Sequence, residues 1–259
     1  MKKILLLVSA FGLFTLYSSA QLVDEKNVTV TMDLQPVLQL NMTTPDQIDF
    51  TFDNIQKYNA GIIKYGATVL KVSSSVSWDL YVVGTSQVGD SIWDQQLSYS
   101  GGGGTNAIDS LPISLLELHQ NEGNAYHVSP TGSWFDYSTA FTDAITFTPG
   151  QNSIYYSNAP YTAPAIDQKY IQGHKGVAGA IAGGAAPGGS YLTALPGNSD
   201  FYFTIDYRIV PGLPAIFPNA GTNAAVPVSE DLVTRHGVGS YANPGVYTMN
   251  VKYVLLEDQ

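Results

Sequence analysis

VSWDLYVVGT, residues 76–85, is the stretch on which the fold turns. Val76, Trp78, Leu80 and Val82 fall on one side of an extended chain, with Ser77, Asp79, Tyr81 and Val83 on the other. That period of two belongs to a β-strand. Gly84-Thr85 reads as the turn that ends it. An indole among smaller neighbours, at W-x-L spacing with Leu80, reads as an anchor clamped between two sheets. A ligand platform is the competing reading of the same ring.

The alternation recurs on both sides of this stretch. VTVTMDL (28–34) sets Val28, Val30, Met32 and Leu34 against Thr29, Thr31 and Asp33, and predicts a half-buried strand. Pro36 interrupts it, and Leu38, Leu40 and Met42 resume it. IDFTF (48–52) follows. ATVLKVSS (67–74) runs almost straight into the opening stretch, so the two are compatible with one long bent strand. AITFTP (144–149), DFYFTIDYRIV (200–210) and GVYTMNVKYVLL (245–256) have the same chemistry, and LPISLLELHQ (111–120) fits a short helix or a strand. Helical periodicity is otherwise nearly absent, and turn signals stand at Gly101 to Gly104, Thr148-Pro149-Gly150, Leu195-Pro196-Gly197 and Asn243-Pro244-Gly245. This pattern predicts an all-β, antiparallel Greek-key β-sandwich, immunoglobulin-like or fimbrial-like, with a barrel as the alternative.

Residues 1–20 read as a signal peptide: Lys2-Lys3, an apolar run from Ile4 to Tyr17, then Ser18-Ser19-Ala20 before Gln21. Residues 21–259 then form a single β domain with an irregular Gly/Ala-rich insertion at about 151–198. No further apolar run is long enough to span a membrane. The chain has no cysteine, so its fold rests on packing and hydrogen bonds. Without Lys2 and Lys3, nine basic residues face 21 acidic ones, a net charge of −12. That balance excludes a basic stripe for nucleic acid and disfavours anionic membranes.

Little catalytic chemistry can be drawn from the motifs. His119, His127, His174 and His236 lack metal-ligand spacing, and neither a G-x-S-x-G elbow nor a phosphate loop is present. Asp46, Asp49 and Asp53 lie close enough to suggest a calcium site, but no D-x-D-x-D-G loop accompanies them, so no cofactor is expected. Aromatic residues are the better candidates for contact with a ligand or interface: Trp93, Trp134, Tyr155 and Tyr156, among three Trp and seventeen Tyr in all. They support a second function, a carbohydrate-binding module.

Trp78-x-Leu80, the strand PVLQLNM, the IDF stretch and the closing PGVYTMNVKYVLLE together resemble the WxL-type surface domains and related β-sandwich domains of bacterial fimbrial and spore-coat-like proteins. In those families a terminal strand G-x-Y-x-x-x-V-x-Y completes the sandwich, and Gly245, Tyr247, Val251 and Tyr253 occupy those places here. The resemblance covers about residues 25–120 and 200–256. It implies that Trp78, Leu80, Tyr247, Val251 and Tyr253 are core residues. Tyr253-Val254-Leu255 stands where a second W-x-L is expected, so peptidoglycan attachment is not carried over. Ala20-Gln21 and the Tyr/Asn-rich composition are similar to exported proteins of the Bacteroidota, in which Asp90-Ser91-Ile92 and Asp109-Ser110-Leu111 would be O-glycosylation tripeptides. The expected function is a non-enzymatic cell-surface or extracellular structural or adhesion protein, with the periplasm as the other location. Its partners would be its own copies, other envelope proteins or glycans, and the expected route is β-strand addition through residues 21–34.

Overall fold

A computed structural model of the chain describes residues 24–89, 91–99, 107–126, 135–141, 151–157, 162–164, 169–174, 184–193, 200–210 and 241–258. The chain divides into two units, residues 1–35 and residues 36–259. In the first, residues 24–35 contain neither helix nor strand, and all are exposed. This corrects the expectation of a half-buried strand at 28–34. Alternation prepares a chain for a ladder but does not supply the partner that a ladder requires.

The second unit runs β1 (Leu38–Met42), a short helix α1 (Ile55–Ala60), β2 (Ile62–Ser74), β3 (Trp78–Thr85), β4 (Asp94–Ser98), β5 (Ala107–Ile108), a 3-10 turn (Ile113–Leu115) and β6 (Leu116–Gln120). It continues with β7 (Tyr170–Gln172), β8 (Gly189–Ser190), β9 (Tyr202–Ile209), β10 (Tyr241–Ala242), β11 (Gly245–Thr248) and β12 (Asn250–Glu257). One sheet has the order β1-β2-β9-β6, with β8 also on β2, and another has the order β12-β3-β7. β11 pairs with β4, and the two-residue β10 and β5 pair in parallel. The described protein is therefore all-β and overwhelmingly antiparallel. α1 is a single capped turn and a half: the Asn54 side chain accepts from the Lys57 amide at 3.0 Å, and Gly61 ends it at a φ of 72°.

The core lies between the two larger sheets. Leu70 and Val72 of β2, and Phe203, Ile205 and Tyr207 of β9, meet Trp78, Leu80 and Val82 of β3. Trp78 is fully buried, with Phe201 at 6.0 Å and Phe203 edge-on at 6.4 Å between ring centroids. Its indole N–H donates to the Pro187 carbonyl at 3.0 Å, so the polar end of the ring is satisfied. The Gly/Ala-rich stretch closes this contact. Ala186 exchanges backbone bonds with Trp78 at 2.8 and 2.9 Å, and a side chain at Gly189 would collide with the Phe201 ring.

Several sequence expectations change in the folded chain. β2 and β3 are separate strands in different sheets, and Ser75–Ser77 carries the crossing between them. β3 is buried on both faces, because Tyr81 and Val83 pack with Tyr170, Tyr155 and Ala163 on the side away from the main core. Gly84 is no turn. It lies inside β3, where an added Cβ would stand 2.8 Å from Met249 and 2.9 Å from Ile113. Residues 48–52 form no ladder, although Ile48, Phe50 and Phe52 turn toward the core in strict alternation. The stretch 111–120 is a 3-10 turn and then a strand. The closing segment breaks at Met249 into β11 and β12, which serve different partners. Residues 1–20, 101–104 and 144–149 lie outside the described residues.

Candidate functional site

Among the described residues the two larger sheets end in edge strands, β1 in one and β12 in the other, and these two strands touch. Their hydrogen-bond phase settles which backbone groups point outward. Ser75 N–H donates to the Val37 carbonyl at 2.9 Å and Thr43 N–H to the Val69 carbonyl at 3.1 Å, so 37/75 and 43/69 are hydrogen-bonded pairs. Because such pairs alternate along an antiparallel ladder, the N–H and C=O groups of Leu38, Leu40 and Met42 face away from β2. On β12, Asp258 N–H donates to the Ser77 carbonyl at 3.1 Å, and by the same alternation Val251, Tyr253, Leu255 and Glu257 face away from β3.

Between these edges runs a shallow groove of about 270 Å³, lined by Leu38, Leu40, Tyr253, Val254 and Leu255. Its lining residues are Leu, Val and Tyr, yet more of the exposed lining is polar than apolar. Leu38 is 38% exposed and Met42 45%, although both belong to the apolar row of β1 whose partners Ser74 and Leu70 are buried. Tyr253 lines the groove, and its hydroxyl makes a short hydrogen bond with the Tyr207 hydroxyl. Tyr207 in turn bonds Thr68 Oγ1 at 3.0 Å. Burial is the chief cause that lifts both phenols above their ordinary range, so neither ionises at physiological pH.

Trp78, Leu80, Val251 and Tyr253 contribute to one core. Tyr247 stands apart, beside Leu111, Leu115 and Val210, where Trp93 also packs. The Tyr247 hydroxyl donates to the Asn243 carbonyl and accepts from Gln95 Nε2 at 3.0 Å. Trp93 is half-buried, and its indole N–H donates to the Pro112 carbonyl at 3.1 Å. Tyr155 and Tyr156 are likewise half-buried and pack against different clusters. Trp134 lies outside the described residues, as do His127 and His236. Sequence reasoning missed Leu38, Leu40, Val254 and Leu255 as a common surface. Their alternation was legible, but their meeting across two sheets was not.

Asp46, Asp49 and Asp53 do not converge. Asp49 accepts from Gln47 and Asp53 from Lys57, and among the described residues no group of three or more His, Asp or Glu is placed to hold a metal ion. The buried charges lie elsewhere. Arg208 pairs with Glu117 at 2.5 Å, both almost wholly buried, and Lys169 donates to the Ser153 carbonyl at 2.7 Å. Burial drives the Lys169 ammonium down to about 7, opposed by the Glu117 charge.

No protein-family model matches this sequence, and no curated protein matches it. The functional reading therefore rests on the edges, the groove and the exposed segment. Among the described residues no helix is long and apolar enough to cross a membrane.

Proposed function

We propose that this chain is a non-enzymatic structural or adhesion protein, exported by residues 1–20 to the cell surface or beyond, whose copies join by β-strand addition. In this reading the two larger sheets form a Greek-key sandwich, supported by the β2-to-β3 crossing and by the core the sheets share. The observation that carries the proposal is the segment Val28–Leu34. Its four apolar side chains alternate in strand register, and each is 78–86% exposed. A row of this kind is what a chain keeps for a partner sheet, since left in water it invites uncontrolled edge association.

The test is the assembly state of residues 21–259, followed by light scattering and negative-stain electron microscopy. Discrete oligomers or filaments are expected, and a chain lacking residues 21–34 is expected to be a monomer with an unchanged unfolding midpoint. Assembly that survives the deletion refutes strand addition by this segment.

A further inference from the structure

Resting on that reading, we infer that the acceptor is the edge of β1 to which no strand pairs among the described residues. Residues 28–34 of a second copy lie along it, with Val28, Val30, Met32 and Leu34 turned toward the groove and toward Tyr253 and Leu255.

Three observations carry this. β1 is the less complete of the two edges. Leu38 and Met42 remain substantially exposed, whereas Val251, Tyr253 and Leu255 of β12 already pack against the main core. A strand beside β1 would extend the order β1-β2-β9-β6 by one and bring its inward side chains over the groove. Next, the backbone groups of Leu38, Leu40 and Met42 repeat every second residue, the same period as the apolar row of the arm. Main-chain bonds would hold the added strand, and the groove would select its alternate side chains.

The third observation concerns why the strand comes from another copy. Val37 is fixed against Ser75 by two hydrogen bonds, from its own N–H to Ser75 Oγ at 2.7 Å and from Ser75 N–H to its carbonyl at 2.9 Å. Leu38 is then the first residue of β1 whose backbone groups face outward, so the tightest hairpin onto the chain's own β1 would place Pro36-Val37 at its centre. Two-residue hairpin turns need positive φ at their first central residue, and often at both. Pro36, the first central residue, is locked near −65° and cannot adopt it. The arm is barred from this closure onto its own edge but remains free to meet the same edge elsewhere.

The chain has no cysteine, so single thiols report cleanly. Val30→Cys and Leu40→Cys, prepared separately, are mixed unfolded, refolded together and treated with a short bismaleimide. A cross-linked dimer joining positions 30 and 40 is expected, roughly tenfold or more above a control pairing Val30→Cys with Leu97→Cys, because pairing raises the local thiol concentration. Leu97 is 52% exposed, on β4. Equal linkage to both positions overturns the assignment. So does a double variant whose 30–40 link forms only within one chain. Light scattering on the wild-type chain separates the two levels: assembly without the 30–40 link removes this acceptor and leaves the broader function standing, whereas a monomer removes both.

Discussion

Asp79 offers the sharpest test of how this core is built. It lies on β3 between Trp78 and Leu80, fully buried, and neither carboxyl oxygen has a well-formed hydrogen bond among the described residues. Burial is the main cause that pushes it up to about 8, with the Asp258 charge adding to it and the His174 amide opposing weakly. The sign follows directly. Between about pH 4 and pH 8 the folded protein holds a proton that the unfolded chain has already released, so stability falls as pH rises through that window. It is highest below the unfolded value and levels off above the folded one. At about 1.36 kcal/mol per pH unit, the climb from 3.8 to about 8 sets a ceiling of about 6 kcal/mol. Relaxation and water entry lower such penalties, so about 2–3 kcal/mol is the working figure. Asp79→Asn keeps the shape and has no proton to lose. Urea unfolding followed by tryptophan fluorescence, from pH 5 to pH 9, should show the variant gaining about 2–3 kcal/mol on wild type as pH rises. The difference, not the raw curve, isolates Asp79 from the other titrating groups. A difference that stays flat across the window would refute a buried, proton-bearing carboxyl.

Other perturbations follow from the same packing. Trp78→Ala removes the largest fully buried side chain among the described residues and should cost about 3–5 kcal/mol in denaturant unfolding; an unchanged midpoint would revive the ligand-platform reading. Gly84→Ala places a methyl within 3 Å of Met249 and Ile113, and about 1–3 kcal/mol of overpacking is expected from thermal melts. Arg208→Leu leaves Glu117 buried without its guanidinium and should cost about 3–5 kcal/mol, while adding Glu117→Leu should recover part of that loss in a double-mutant cycle. Tyr253→Phe removes one hydroxyl from the pair with Tyr207 and should cost about 1 kcal/mol in the same unfolding assay.

Much of this was legible because side-chain period is a local property. Trp78, Leu80 and Val82 point to one face whatever they meet, and Tyr202–Ile209 declares a strand from its own residues. Pairing is different, since it depends on residues far away in sequence. VTVTMDL and ATVLKVSS show the same alternation, yet one is an exposed arm and the other lies in mid-sheet. The Gly/Ala-rich stretch suggested an insertion because it lacks bulk. That lack of bulk is what allows Ala186 to sit against Trp78 and Gly189 against Phe201.

The sequence by itself determined the all-β character and the core-facing rows of β1, β2, β3 and β12, because alternation, turn residues and missing helical period act over a few residues. Only the tertiary structure decided that β3 is buried on both faces, that the closing segment divides at Met249, and that β1 and β12 turn backbone groups away from their partner strands beside one groove. Those outcomes depend on which distant segments come together. An edge is defined by the neighbour a strand lacks, and no short stretch of residues carries that information.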